Sequence, residues 1–273
     1  MFTTIINNKQ LVSQLEDPSI RIIDSRFSLV DKEWGRDEYN LGHIPGAQYV
    51  HLDGDLSAEI IPGITGRHPW MSMDSICSLF SRLGISNDTQ IVLYDQSHGG
   101  IAARFWAMAL SVGHENVCVL NGGWKHWEAN DLPRSTTIET YPQTNYLANP
   151  PLISLIDVSE LSKVDTLIDA RTENRYKGIE EPIDPIAGHI PGAINIPFLG
   201  NVDEHHLWMP KEELSKRFSK VGKSSAIYCG SGVTACHDLI AMKHIGLELP
   251  ALYPGSWSHY ITDESRRVET EIA

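Results

Sequence analysis

The sequence predicts an α/β protein of two domains, each a mostly parallel sheet flanked by helices on both faces. Three observations carry this expectation. The 273-residue chain is long enough for two domains of ordinary size, each with its own core. The segment Gly42-His43-Ile44-Pro45-Gly46-Ala47 returns as Gly188-His189-Ile190-Pro191-Gly192-Ala193. In both halves short apolar runs alternate with helical patterns, as in a parallel sheet whose crossovers are helices.

The repeat extends well beyond the hexapeptide. Ile22-Ile23-Asp24-Ser25-Arg26 returns as Leu167-Ile168-Asp169-Ala170-Arg171 at nearly the same offset, so two whole units align. Further on, Tyr94 pairs with Tyr228, and Gly123-Trp124 with Ser256-Trp257, at an offset about a dozen residues shorter. The first unit therefore carries an insertion between its GHIPGA and its Tyr94 strand. A period this long is a domain duplication, not a solenoid.

Taken in order, Ile20–Ile23, Gln90–Tyr94, Thr166–Ile168 and Ser225–Tyr228 read as buried strands. Gly100–Val112 and Val233–Ile245 have helical spacing. The first presents Ala102, Phe105, Trp106 and Ala109 on one face, the second Leu239, Ile240 and Met242. The polar, proline-rich stretch from Pro133 to Pro151 shows no helical period and reads as a linker. The expected organisation is a first domain over residues 1–135, a linker over 136–150 and a second domain over 151–273.

Composition narrows the class. With 41% hydrophobic and 21% charged residues, the chain reads as a soluble globular protein. No apolar run approaches the roughly 20 residues of a membrane-spanning helix, and the N-terminus does not read as a secretory signal. A net charge of -13 opposes nucleic acid and anionic lipid, so neither is an expected partner. Cys77, Cys118, Cys229 and Cys236 form no CxxC pair and match no zinc spacing, so no metal is expected. Sparse free thiols fit a reducing, cytoplasmic compartment. Cys77, Cys118 and Cys236 read as packed core thiols. The pair His205-His206 is too isolated to argue for a metal.

Cys229 stands apart because of its loop. The Ser225–Tyr228 strand runs into Cys229-Gly230-Ser231-Gly232-Val233-Thr234-Ala235 and then a helix. Two glycines let such a loop curl so that successive N–H groups surround the sulfur, an anion-binding nest at a helix N-terminus. A thiolate held there has a lowered pKa and is a nucleophile near neutral pH. The matching loop of the first unit is Asp95-Gln96-Ser97-His98-Gly99-Gly100. A carboxylate cannot carry a transferable sulfur, so the first domain is expected to be catalytically silent and to lend residues to a shared cleft.

These paired units, the repeated GHIPGA, the CGSGVTA loop, Tyr253-Pro254-Gly255-Ser256-Trp257 and the silent first domain resemble the two-domain rhodanese family over essentially the whole chain. The resemblance implies two rhodanese-like domains, no cofactor, and a persulfide on Cys229 that carries sulfur from a small anionic donor. The acceptor it implies is a thiol, such as thioredoxin or a small thiol, or cyanide. Gly230, Gly232, Val233 and Thr234 would form the substrate cradle.

Thiosulfate-type loops place basic residues after the cysteine, whereas Gly230 and Ser231 are neutral and resemble the 3-mercaptopyruvate type. In that type a serine two residues past the cysteine works with a histidine and an aspartate of the first domain, here Ser231, His68 and Asp53. Such a triad suits a reaction that leaves pyruvate as an enolate in need of a proton. Arg175 falls where the family keeps an arginine for the substrate carboxylate, a job suited to a planar, bidentate guanidinium. A second substrate arginine is replaced by Asp184, in a flexible proline-rich segment that could turn outward. Arg171 and Arg26 are expected to brace strand ends, His43 and His189 to hold turns, and Trp124 and Trp257 to pack.

Thiosulfate is the alternative donor. A phosphatase would want an arginine closing the loop, and none occurs from Cys229 to Lys243. An inactive binding module is disfavoured by the retained cysteine and loop glycines.

Overall fold

A computed structural model describes residues 1–271 and divides them into two compact units. The first comprises Met1–Leu56, Met71–Leu152 and Val202–Trp208; the second comprises Ser57–Trp70, Ile153–Asn201 and the chain from Met209 onward.

The first unit holds strands β1 (Ile5–Ile6), β2 (Ile20–Asp24), β3 (Ala47–Tyr49), β4 (Gln90–Tyr94) and β5 (Val117–Leu120). Its helices are α1 (Asn8–Val12), α2 (Trp34–Leu41), α3 (Leu52–Asp55), α4 (Met73–Arg82), α5 (Ala102–Ser111) and α6 (Gly123–Ala129). The strands pair in the order β1-β5-β4-β2-β3, and each pairing is parallel. The second unit holds β6 (Thr166–Asp169), β7 (Ile194–Asn195), β8 (Ser225–Tyr228) and β9 (Ala251–Leu252), paired in parallel as β7-β6-β8-β9. Its helices are α7 (Glu173–Lys177), α8 (Lys211–Arg217), α9 (Ala235–His244) and α10 (Ser256–Tyr260). The α/β architecture and parallel sheets are those the alternating pattern predicts.

The long helices depart from expectation in one respect. Every residue of α5 is buried, Arg104 included, and so is α9 from Ala235 to Met242. A helix enclosed on all sides needs no polar face, which is why α5 is Ala-rich and nearly uncharged. The stretch 136–150 has no regular secondary structure, yet it lies along the first unit. Thr144 N–H donates to Ser81 O at 3.0 Å, Asn149 N–H to Val112 O at 2.9 Å, and Tyr146 is buried. His206 and Leu207, from the second repeat, also pack with the first unit. Trp208 N–H donates to Asn121 Oδ1 at 2.9 Å, and the ring of His206 lies 6.0 Å from that of His98.

The repeated motifs perform the same work in each unit. Asp24 accepts Arg26 through Nε and Nη2, and Arg26 Nη2 also donates to Gly42 O at 2.7 Å. Asp169, Arg171 and Gly188 repeat this, with the last bond at 2.6 Å. Each arginine lies 4.7 Å from the ring of its repeated tryptophan, Trp124 or Trp257. His43 stacks on Tyr39 at 4.0 Å and His189 on Tyr176 at 3.9 Å, each with Nδ1 bonded to that tyrosine's carbonyl. A fully buried ion pair tolerates desolvation better when further donors are satisfied; the glycine carbonyl takes one of them, while Arg26 Nη1 has no hydrogen-bond partner in the described residues.

Candidate active site

β8 ends at Tyr228, and Cys229 follows at the carboxyl end of the sheet, where α/β folds present their ligands. The thiol is 1% exposed. Burial pushes its pKa up, but the Thr234 hydroxyl and the N–H groups of Ala235, Ser231 and Val233 push it down, and the net direction is below the usual thiol value. Thiolate is thus favoured by four donors converging on one sulfur. The two loop glycines serve different ends. Gly232 turns the chain at φ +74, in the left-handed region. Gly230 keeps ordinary angles and lies close under two arginines: a Cβ there would stand 3.0 Å from Arg67 Nη2 and 3.3 Å from Arg175 Nη1.

The neighbouring turn secures the loop. Ser256 Oγ accepts the Cys229 N–H at 3.1 Å and donates to Tyr253 O at 3.1 Å, and it lies 4.0 Å from the sulfur. Trp257 and Ser258 N–H groups donate to the carbonyls of Cys229 and Gly230.

The matching loop of the first unit holds Asp95 at the cysteine position. Asp95 Oδ1 accepts the N–H groups of Ser97 and Gly99 at 3.0 and 2.9 Å, and Oδ2 that of Ile101 at 2.9 Å. The carboxylate fills the nest of the first unit with its own charge.

Ser231 and His68 are brought together, the hydroxyl 2.7 Å from Nδ1, both buried. His68 lies in the first repeat by sequence, but its segment, Ser57–Trp70, packs in the second unit. This segment falls where the unequal offsets place the insertion. Ala58 N–H closes it onto Pro69 O at 3.0 Å, and Arg67 N–H donates to Ser258 Oγ at 3.1 Å. Gly66 abuts the turn so closely that a Cβ would meet Ser258 Oγ at 2.6 Å and Gly255 O at 2.9 Å. Asp53 belongs to the first unit, on α3, where Lys32 Nζ approaches its Oδ2 to 2.6 Å.

Arg175, on α7, reaches the loop at Gly230, with Nε bonded to both Glu181 oxygens at 3.1 and 3.0 Å. Asp184 does not turn outward. Its side chain is 3% exposed, because one oxygen pairs with Arg67 and the other with Arg175 Nη2 at 3.1 Å. Two guanidiniums within reach draw the carboxylate in against the pull of hydration. Arg67 is the residue that sequence reasoning missed. Its only signal was adjacency to His68 in an insertion whose packing the sequence does not state.

Cys118 and Cys236 are buried, and Cys77 is only half-buried, less enclosed than its apolar neighbours suggest. Burial pushes the Cys77 and Cys118 thiols up. Among the described residues no group of three His, Cys, Asp or Glu is placed to hold a metal ion, and no helix is long and apolar enough to cross a membrane.

The family model for the Rhodanese-like domain matches residues 7–130 and 154–263. A probable 3-mercaptopyruvate sulfurtransferase of Pseudomonas aeruginosa is 38% identical, with 97% of this chain and 98% of that protein aligned. A putative thiosulfate sulfurtransferase of Mycobacterium tuberculosis is 36% identical over 93% of this chain and 92% of its own. Among solved structures, the 3-mercaptopyruvate sulfurtransferase from Leishmania major superposes with a TM-score of 0.85 at 27% identity, covering 94% of this chain and 74% of that one. With a paired domain match of this extent and a cysteine seated in the characteristic loop, the chain belongs to the rhodanese family, as a tandem of two rhodanese-like domains.

Proposed function

We propose that this protein is a sulfurtransferase that takes sulfur from 3-mercaptopyruvate onto Cys229 and passes it to a thiol or to cyanide. The observation that carries the donor choice is the Ser231–His68 contact of 2.7 Å directly beside the cysteine. The Cys229 thiolate attacks the donor sulfur, and the carbon–sulfur bond breaks with its electron pair staying on carbon. The resulting pyruvate enolate needs a proton, and overall the donor's S–H proton ends on that methyl carbon. Ser231 and His68 supply the route, a positioned hydroxyl backed by an imidazole. Asp53 is assigned the third place on family resemblance. The N–H groups that favour the thiolate also favour the persulfide anion. A thiolate or cyanide acceptor then attacks the outer sulfur and regenerates Cys229.

Thiosulfate is the second reading, favoured by the two guanidiniums of Arg67 and Arg175 beside Gly230, which suit a doubly charged anion. Initial rates with the two donors and cyanide as common acceptor separate the readings. Mercaptopyruvate is expected to give the higher kcat/KM, with Ser231→Ala lowering kcat for mercaptopyruvate more than for thiosulfate. A preference for thiosulfate, indifferent to Ser231→Ala, transfers the assignment to the second reading. Intact mass after donor treatment should show one added sulfur on the wild type and none on Cys229→Ser; sulfur mapped to Cys236 would refute both.

A further inference from the structure

Six charged side chains meet beside the Cys229 loop. The guanidiniums of Arg67, Arg171 and Arg175 are balanced by the carboxylates of Asp169, Glu181 and Asp184. The formal sum is zero, so an anionic donor arriving at the intact cluster gains no net attraction. Attraction requires that one carboxylate give way.

The three carboxylates are not equally held. Asp169 ends β6 and grips Arg171 through Nε and Nη2, and its Oδ1 accepts the Arg171 N–H at 2.9 Å. Glu181 bonds Arg171 and Arg175 and also accepts the N–H groups of Ile183 and Asp184, both at 3.1 Å. Among the described residues, Asp184 takes one guanidinium on each oxygen, from a segment between Pro182 and Pro185 without helix or strand. Removing Asp184 leaves Arg175 still held by Glu181. It also leaves two guanidiniums abutting the position a Cβ would occupy at Gly230, one residue from the sulfur. Arg67 Nε, buried and without a hydrogen-bond partner in the described residues, marks the arginine as incompletely satisfied. Beside this ion pair lies a cavity of about 280 Å³ lined by Thr65, Arg67, Ile183, Asp184 and Ser258, room into which a side chain can swing.

We infer that Asp184 is a displaceable counter-ion occupying the place of the donor's anionic group, and that Arg67 is a second donor-binding guanidinium partnered with Arg175. A carboxylate is the fitting ligand, because its two oxygens reproduce the one-to-each bonding of Asp184 across both arginines. The resting enzyme thereby neutralises two close guanidiniums that would otherwise repel one another. The inference deepens the donor reading above, but it concerns the anion's seat and not the sulfur chemistry.

Steady-state kinetics with mercaptopyruvate and, separately, thiosulfate test it on the wild type, Asp184→Asn and Arg67→Met. Asp184→Asn, nearly isosteric, is expected to lower KM several-fold for both donors while kcat stays within about twofold, because it removes a competitor from ground-state binding. Arg67→Met is expected to raise KM about tenfold, the equivalent of one charge-assisted hydrogen bond. An Asp184→Asn variant whose KM rises or is unchanged would show that Asp184 is a fixed brace and overturn the inference. A structure of the wild type with pyruvate gives a test without substitution: the pyruvate carboxylate should lie between Arg67 and Arg175 with Asp184 swung away. Asp184 still bridging the two arginines would also overturn it. A wild type that prefers thiosulfate defeats the donor reading alone, since a lower KM in Asp184→Asn for that donor leaves the counter-ion standing.

Discussion

Ser256 stands at φ +54, in the left-handed region, where the first unit places Gly123 at φ +56. A side chain there is strained by about 1 kcal/mol relative to glycine. What offsets the strain is the hydroxyl, which accepts the buried Cys229 N–H that would otherwise be orphaned, at a cost of about 1–3 kcal/mol. Gly123 cannot be copied in reverse, because a Cβ there would meet Asp95 O at 2.6 Å. Both Ser256→Gly and Ser256→Ala lose the hydroxyl, but only alanine keeps the strain. The expected order of stability in urea is wild type, then glycine, then alanine, with the two variants about 1 kcal/mol apart. An alanine variant as stable as the glycine variant would remove the argument for strain beside the Cys229 sulfur.

At the scale of elements, the segment Ser57–Trp70 decides what the second unit contains. It brings Arg67 and His68 to the Cys229 loop and is fastened by the Arg67–Ser258 bond and by the close fit of Gly66. A fragment beginning at Pro151 lacks this segment, and with it the Ser231 partner and one guanidinium. The expected result for Pro151–Ala273 is loss of most mercaptopyruvate turnover, by more than about tenfold, since general acid–base help alone is worth about 10²–10⁴. Comparable turnover by the fragment would show that neither His68 nor Arg67 takes part. The duplication was legible because Asp-x-Arg, GHIPGA and the tryptophans repeat. The packing of the insertion was not, because its residues have no counterpart in the other repeat to be compared with.

For the molecule as a whole, stability is tied to pH through a buried carboxyl on the helix that follows the Cys229 loop. Asp238, on α9, is fully buried; one oxygen accepts Asn201 Nδ2 at 2.5 Å and the other has no partner in the described residues. Burial pushes its pKa up to about 8, against the lowering effects of Asn201 and Arg217. Because the folded state holds this proton more tightly than the unfolded chain, whose ordinary value is 3.8, stability falls as pH rises from about 4 to about 8 and then levels off. Asp238→Asn, which cannot ionise, should remove that slope. The variant is expected to melt several degrees above the wild type at pH 8, with the difference shrinking steadily as the pH is lowered to 5. An equal difference at both pH values would mean that Asp238 does not carry the proton. The net charge of -13 adds self-repulsion in the same direction, so the comparison belongs at fixed ionic strength.

The sequence by itself determined the α/β class, the duplication, the buried strands at Gln90–Tyr94 and Ser225–Tyr228, and the place of Cys229 in the loop that follows the second of these strands. These rest on local patterns, since strand burial, glycine spacing and motif repetition are written along the chain. It also placed Arg171 and Arg26 as strand-end braces, because each sits two residues from its aspartate in both units. Only the tertiary structure decided that Gly230 lies against two guanidiniums, that Asp184 lies inward between two arginines, and that Arg67 stands beside the cysteine loop. The physical reason is common to all three. A charge seeks its nearest partner in space, and the partners of Gly230 and Asp184 include a residue more than a hundred positions away, on an insertion whose docking depends on the turn from Gly255 to Ser258.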